Sequence, residues 1–329
     1  MHVLVVGGAG YIGSHTARAF LDAGYRVTVV DNLATGLREN LFPESGFIHA
    51  DILNQRALET AFARAAEEEP VHALVHLAAF KAAGESMVRP EKYAENNISG
   101  TISLLNAAVA TGVGNVVFSS SAAVYGEPQY LPVDENHPTE PTNFYGYTKL
   151  AIEELLSWYA NLKGMRYAAL RYFNAAGYDP RERVRGLELN PANLLPVIME
   201  VAAGVRDSLT IFGKDYDTRD GTGIRDYVHV TDLAQAHVLA LRHIAERREN
   251  LTVNLGSEEG ISVSEMLETA RSETGRDIPA QVGDRRAGDP ASLVASAEKA
   301  RGTLGWSPEY SDVTSLVRTT WAAYKRAFL

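Results

Sequence analysis

Residues 2–15, HVLVVGGAGYIGSH, decide the fold. A β-forming run over 2–6 passes without a spacer into Gly7, Gly8, Gly10 and Gly13, and a helical pattern over 12–23 follows. Both Gly7-x-x-Gly10-x-x-Gly13 and Gly8-x-Gly10-x-x-Gly13 are satisfied. Glycines at that spacing let the backbone turn tightly and approach a pyrophosphate, which then rests on the helix N-terminus. Alone, the turn is weak evidence, because glycine turns after strands are common. Asp31 adds weight, since it ends the next β run, 26–30. A carboxylate there accepts hydrogen bonds from both adenosine ribose hydroxyls and repels a 2′-phosphate. No arginine adjoins Asp31, so the expected cofactor is NAD in preference to NADP.

Working outward, apolar β runs at 46–49, 72–77, 115–119 and 166–171 alternate with helical patterns at 55–67, 92–111 and 145–162. Gly24, Gly112 and Gly164 stand where helices should stop. The alternation predicts an α/β fold: a Rossmann-type, doubly wound parallel sheet with a smaller C-terminal α/β substrate domain. The expected division is an NAD-binding domain over 1–176 and a substrate domain over 177–329, with 226–250 packing back on the first. In the second part, helices are expected at 193–203 and 231–245 and strands at 208–212 and 251–255.

Bulk composition narrows the function classes. The 329 residues carry 41 acids against 31 bases and form no basic stripe, which argues against a nucleic-acid partner. No run approaches the roughly 20 apolar residues of a membrane span. The start, MHVLVVGGAG, shows no signal-peptide pattern. With no cysteine there is no thiolate chemistry or disulfide, which fits a cytoplasmic protein. No metal site is expected. His72 and His76 read as packed side chains, Met199, Trp158 and Tyr159 as core, and Glu67 to Glu69 and Arg247-Arg248 as solvated helix ends.

The reactive candidates lie in FYGYTK, residues 144–149. Tyr145 and Lys149 are four apart and share one helix face, whereas Tyr147 points elsewhere. An ammonium beside a phenol favours phenolate, which would bring Tyr145 toward neutral pH as a base. An isolated YxxxK would more often be ordinary packing. Here Ser119-Ser120-Ser121 sits at the C-terminal end of a sheet strand, where α/β folds bind ligands. A hydroxyl there can hold a substrate oxygen while the tyrosine moves its proton.

The chain resembles the extended short-chain dehydrogenase/reductases, and within them the UDP-glucose (UDP-galactose) 4-epimerase family. The resemblance rests on GGAGYIGSH (7–15), VDN (30–32), ADI (50–52), HLAAFKAAGES (76–86), NNISGT (96–101), SSSAAVYG (119–126), YGYTK (145–149) and RYFNAAG (171–177). NLLP (193–196), FGKDYDTRDGTGIRDYVHV (212–230) and RRAGDP (285–290) extend it to the C-terminal part. It implies Tyr145 as base and acid, Ser121 as its partner and Lys149 as holder of the nicotinamide ribose. NAD would touch Gly7, Gly10, Tyr11, Ile12, Gly13, Asp31, Asn32, Asp51, Ile52, Leu77, Ala78, Lys81, Asn97 and Tyr172. A UDP-sugar would be held by Phe173, Asn174, Asn193, Leu194, Thr210, Phe212, Arg225, Tyr227, Arg286, Asp289 and Leu293. Arginines suit the diphosphate because their fork donates paired hydrogen bonds. A homodimer through 92–111 and 145–162 is also implied.

Sugar-nucleotide dehydratases and dehydrogenases share the scaffold and stay open as alternatives. Dehydration needs an extra acid and base near the serine, and Ala122-Ala123-Val124 offers none. A non-catalytic NAD-binding protein fits the full Ser121/Tyr145/Lys149 set poorly. Leu293, where some relatives carry a tyrosine, raises the expectation that 2-acetamido sugars are also accepted.

Overall fold

The computed structural model describes every residue except Asn190 and Ala287. Its first half alternates β1 (His2–Val6), α1 (Tyr11–Asp22), β2 (Arg26–Asp31), β3 (Gly46–His49), α2 (Gln55–Ala65) and β4 (Val71–His76). It continues through α3 (Ala83–Val88), α4 (Pro90–Tyr93), α5 (Gly100–Ala110), β5 (Asn115–Ser121), α6 (Phe144–Lys163) and β6 (Arg166–Tyr172). Beyond Tyr172 the strands are short: β7 (Asn174–Ala176), β8 (Leu209–Phe212), β9 (Ile224–Arg225) and β10 (Tyr227–His229). They precede β11 (Leu251–Leu255), β12 (Ile261–Ser262), β13 (Ala280–Gly283) and β14 (Ser292–Leu293). The helices among them are α7 (Leu194–Ala202), α8 (Val230–Arg247), α9 (Val263–Thr274), α10 (Glu298–Leu304) and α11 (Val313–Phe328).

Seven strands form one parallel sheet in the order β11-β6-β5-β4-β1-β2-β3. Alternate side chains build both faces, as a two-sided sheet requires. Val3, Val5, Val27, Val29 and Val75 pack with Phe20 of α1 and Leu233, Ala236, Ala240 and Ile244 of α8. Leu4, Val6, Val30 and Leu74 face Leu58 and Phe62 of α2, Leu104 of α5 and Ile152 and Leu156 of α6. The strand order reverses between β1 and β4, which opens the crevice where such sheets bind ligands. At that point Leu77 and Ala78 both donate their amides to the Val6 carbonyl, at 2.9 and 3.1 Å.

A second core unites α7, α9 and α11 through Leu195, Ile198, Met199, Met266, Leu267, Leu316 and Tyr324. The chain's return to the sheet reaches past 226–250. β11 becomes the edge strand, and Trp306, just after α10, packs on the α8 face with its indole donating to the Asp232 carbonyl at 2.9 Å.

Two sequence expectations are corrected. The helical pattern at 92–111 is not one helix: α4 runs into a π turn over Ala94–Ser99 before α5 begins. The wide turn carries the buried Asn97, which bridges the 80-loop and α6. Trp158, expected in the core, is 63% exposed on α6, with Leu162 70% exposed one turn on. Helical spacing gave the face but not whether a neighbour covers it. Met199 is buried, and Tyr159 is half-buried with its hydroxyl donating to Asn106 at 2.7 Å. His76 is buried, donating or accepting through Nε2 with Thr101 at 2.8 Å, while His72 Nδ1 accepts the His2 amide.

Candidate active site

The glycine turn is built by clearance. Gly7 has φ +84°, and a Cβ there would stand 2.6 Å from the Ala78 nitrogen. At Gly13 a Cβ would stand 2.0 Å from the Gly7 carbonyl oxygen, so only glycine lets α1 rise directly behind β1. Gly10 caps α1 without a side-chain hydrogen bond, leaving the first-turn amides of Tyr11, Ile12 and Gly13 for a ligand. The Tyr11 side chain turns away: its hydroxyl donates to the Gly177 carbonyl at 2.5 Å, tying α1 to the segment after β7. Burial lifts its pKa well above 10.

Asp31, the residue expected to meet the adenosine ribose, ends β2. One oxygen accepts the Ala9 amide at 3.0 Å and the other the Leu33 amide at 2.8 Å, leaving acceptor capacity on both. Beside it the Asn32 amide donates to Asp51 at 2.9 Å, and Ile52 is buried against Gly100. These residues fit NAD: a glycine cradle with no room for a Cβ, an uncapped helix start and a carboxylate at the end of β2. Lys81 has a partner beyond the expected cofactor contact. Its ammonium lies 2.5 Å from Glu188 of the second part, a partner that sequence reading missed for want of any local signal. Tyr172 is buried, its hydroxyl on the Ser119 hydroxyl.

Asn143 caps α6, its side-chain oxygen accepting the Gly146 amide at 2.9 Å. Gly146 in turn lets α6 touch the turn after β5, since a Cβ there would lie 2.3 Å from the Ala123 carbonyl oxygen. That contact sets Tyr145 against Ser121, whose hydroxyl also accepts the Ala123 amide at 3.2 Å. Lys149 is buried and donates from Nζ to the Ser119 carbonyl at 2.6 Å, with Nζ 5.7 Å from the Tyr145 ring centroid. Tyr147 is half exposed on the other side of the helix.

The electrostatics depart from the simple expectation. Burial raises the Tyr145 pKa above 10, and only the Ser121 hydroxyl opposes the rise. In the protein without NAD, Lys149 is not among the groups that shift Tyr145, and it is desolvated itself. Burial pulls its pKa down to about 7 against the opposing charge of Glu153. Two groups that must share one charge are thus held in a site that resists charge on either.

The remaining residues line the second part. Arg225 on β9 lies 3.3 Å from Asp289, and the nearby Tyr227 phenol is buried and pushed up to about 12. Arg286 stacks over the Phe212 ring at 3.9 Å, and Thr210 shares the exposed face of β8 with Phe212. Asn174 donates its amide to the Asp226 carbonyl at 2.9 Å, while Asn193 and Leu194 open α7. Leu293 and Phe173 pack on Ala122, Val124 and Tyr125, directly behind the Ser121 turn.

A reversed-order parallel sheet, a glycine cradle with Asp31, and a serine–tyrosine–lysine set at the end of β5 define an NAD-using protein of the extended short-chain dehydrogenase/reductase class. The model of the NAD dependent epimerase/dehydratase family matches residues 3–256, and the chain belongs to that family. It is 47% identical over 322 residues to the UDP-glucose 4-epimerase of Lacticaseibacillus casei, covering 98% of this chain and 96% of that one. The UDP-glucose 4-epimerase of Brucella ovis, solved in complex with NAD, is similar with a TM-score of 0.94 at 45% identity, covering 98% of each chain. The UDP-Glc/GlcNAc 4-epimerase of Campylobacter jejuni is similar with a TM-score of 0.86 at 38% identity, covering 99% of each chain.

Proposed function

We propose that the protein is a UDP-hexose 4-epimerase, interconverting UDP-galactose and UDP-glucose through a 4-keto sugar. The observation that carries this reading is the meeting of Ser121, Tyr145 and Lys149 beside the NAD cradle, on a turn of Ala122 to Val124 without a carboxylate for dehydration. When bound, NAD would supply reversible hydride acceptance at sugar C4, and its positive charge would favour phenolate nearby. Ser121 Oγ holds the sugar O4. Tyr145 Oη takes the O4 proton as C4 is oxidised and gives it back after the ketone has presented its other face. Lys149, poised near pH 7, supplies the positive charge that the buried phenol lacks. Arg225 and Arg286 would anchor the diphosphate through the whole turnover, and Asp289 the uridine ribose. The anchor must hold while the hexose rotates, so affinity belongs at the nucleotide end.

On this reading residues 1–176 hold NAD and 177–329 the UDP-sugar, with 226–250 supporting the first part. The exposed Trp158 and Leu162 on α6 favour a homodimer through the α5 and α6 region. Among the described residues no helix is long and apolar enough to cross a membrane, and a cytoplasmic enzyme is the consistent assignment. The test is incubation with UDP-galactose without added NAD⁺. UDP-glucose without accumulating NADH is expected; stoichiometric NADH with an oxidised sugar would mark a dehydrogenase, and a 4-keto-6-deoxy product a dehydratase.

A second reading concerns sugar range. Leu293 lies behind the Ser121 turn, and a side chain smaller than tyrosine there leaves room for a 2-acetamido group. Turnover of UDP-N-acetylgalactosamine is expected, and its complete absence beside normal UDP-galactose turnover would end this reading.

A further inference from the structure

One layer beneath the reactive groups, three strands carry polar side chains where a sheet interior is normally apolar. Ser120 of β5 pairs in register with Arg171 of β6, and Arg171 pairs with Asn254 of β11. All three are buried. Two outside groups stitch the row together. Glu153, on α6 one turn beyond Lys149, accepts the Ser120 hydroxyl at 2.5 Å and the Arg171 guanidinium at 2.9 Å from Nε and 2.5 Å from Nη2. Tyr125, in the turn after Ser121, accepts Arg171 Nη1 at 3.0 Å and donates to Asn254 at 2.6 Å. Asn254 is held in turn by the Val133 carbonyl and by Glu135, which accepts its backbone amide.

A buried ion pair is a poor device for stability, because apolar residues of the same volume usually do as well. Its value is geometric when no buried polar atom is left without a partner, and none of the side-chain atoms of this network is. The Glu153–Ser120 bond and the Lys149–Ser119 bond are successive rungs between α6 and the end of β5. Ser121 is the next residue, and Tyr145 stands one turn before Lys149 on the same helix.

We propose that Glu153 is a positioning residue for proton transfer: by fixing Ser120 and Arg171 it sets the Ser119 carbonyl against the Lys149 ammonium and the Ser121 hydroxyl against Tyr145. The role rests on the epimerase reading for its chemistry but not for its geometry. Facing the Lys149 ammonium are Tyr145 and Glu153 from α6, His76 from β4 and the Phe118 ring from β5. Of these, Glu153 is the one whose charge favours the ammonium.

The test is Glu153→Gln in the NAD-loaded protein with 13C-labelled lysine, the Lys149 resonance being assigned by its loss in Lys149→Met. Glutamine keeps the volume and an acceptor for Ser120 while removing the charge. The Lys149 titration is expected to move down by about one pH unit. The alkaline limb of kcat should move with it, kcat falling about tenfold with KM for UDP-galactose within about twofold. An unmoved titration together with wild-type kcat would overturn the proposal, even if Tm fell. If Glu153→Gln fails to fold, Glu153→Gln with Arg171→Gln restores a neutral pair, and the same shift is expected there. A wild-type protein without epimerase turnover would defeat the functional reading, while the lysine titration would still decide the role of Glu153.

Discussion

The two ends of the site are made of different material. The cofactor end is backbone: Gly7, Gly13, the start of α1 and the amides that hold Asp31. The proposed sugar end is side chain: Arg225, Phe212 and Leu293 from three separated strands, with Arg286 and Asp289. A backbone cradle tolerates no change of shape, since its clearances are smaller than a methyl group. A side-chain cleft can be re-cut one residue at a time, so chemistry and specificity can change independently.

The sharpest way to break this contrast lies where the ends meet. Tyr145→Phe should lower kcat by about 10²–10⁴-fold with UDP-galactose affinity little changed. A matching loss in Tyr147→Phe, whose ring is solvent-facing, would defeat the assignment from helical facing. Next in size is acid. Burial holds His15 to about 4 and His229 to about 3, and both tie the two parts together, His15 accepting the Asp179 amide at 3.0 Å. Their folded pKa values lie below the unfolded value, so the folded state binds fewer protons and loses stability as pH falls below about 6.5. Unfolding by denaturant at pH 5 and pH 7.5 should differ by on the order of 2 kcal/mol for each histidine. Gly13→Ala should destabilise by about 1–3 kcal/mol and lose bound NAD, as read by Tm and by cofactor content after purification. Arg225→Met should raise KM for UDP-galactose about tenfold while leaving NAD content unchanged, the opposite signature from Gly13→Ala. The smallest effect is Leu293→Tyr, which should retain UDP-galactose turnover and lose about tenfold or more on UDP-N-acetylgalactosamine.

The same contrast explains what the sequence disclosed. The glycine turn, Asp31 and the Tyr145/Lys149 spacing follow local rules of turn and helix, and each could be read from neighbouring residues. Arg225, Asp289 and Leu293 were legible only through the family resemblance, because their meeting depends on β9 pairing with β14 across many residues. The π turn at Ala94–Ser99 was invisible, since its residues suit an α-helix equally well. Trp158 misled for the reverse reason: an apolar helical spacing records a face and not whether anything covers it. The Lys149 charge was misjudged because spacing reports proximity and not desolvation.

The clearance at Gly146 has a genetic consequence. Every replacement of a glycine adds at least one carbon, and here that carbon would lie 2.3 Å from the Ala123 oxygen. No single-base change at this codon other than a silent one leaves the helix able to approach the serine turn. Leu293 stands across the same turn with no such restriction. Heritable variation in this lineage therefore meets a fixed wall on the side of Tyr145 and an open one on the side of the sugar.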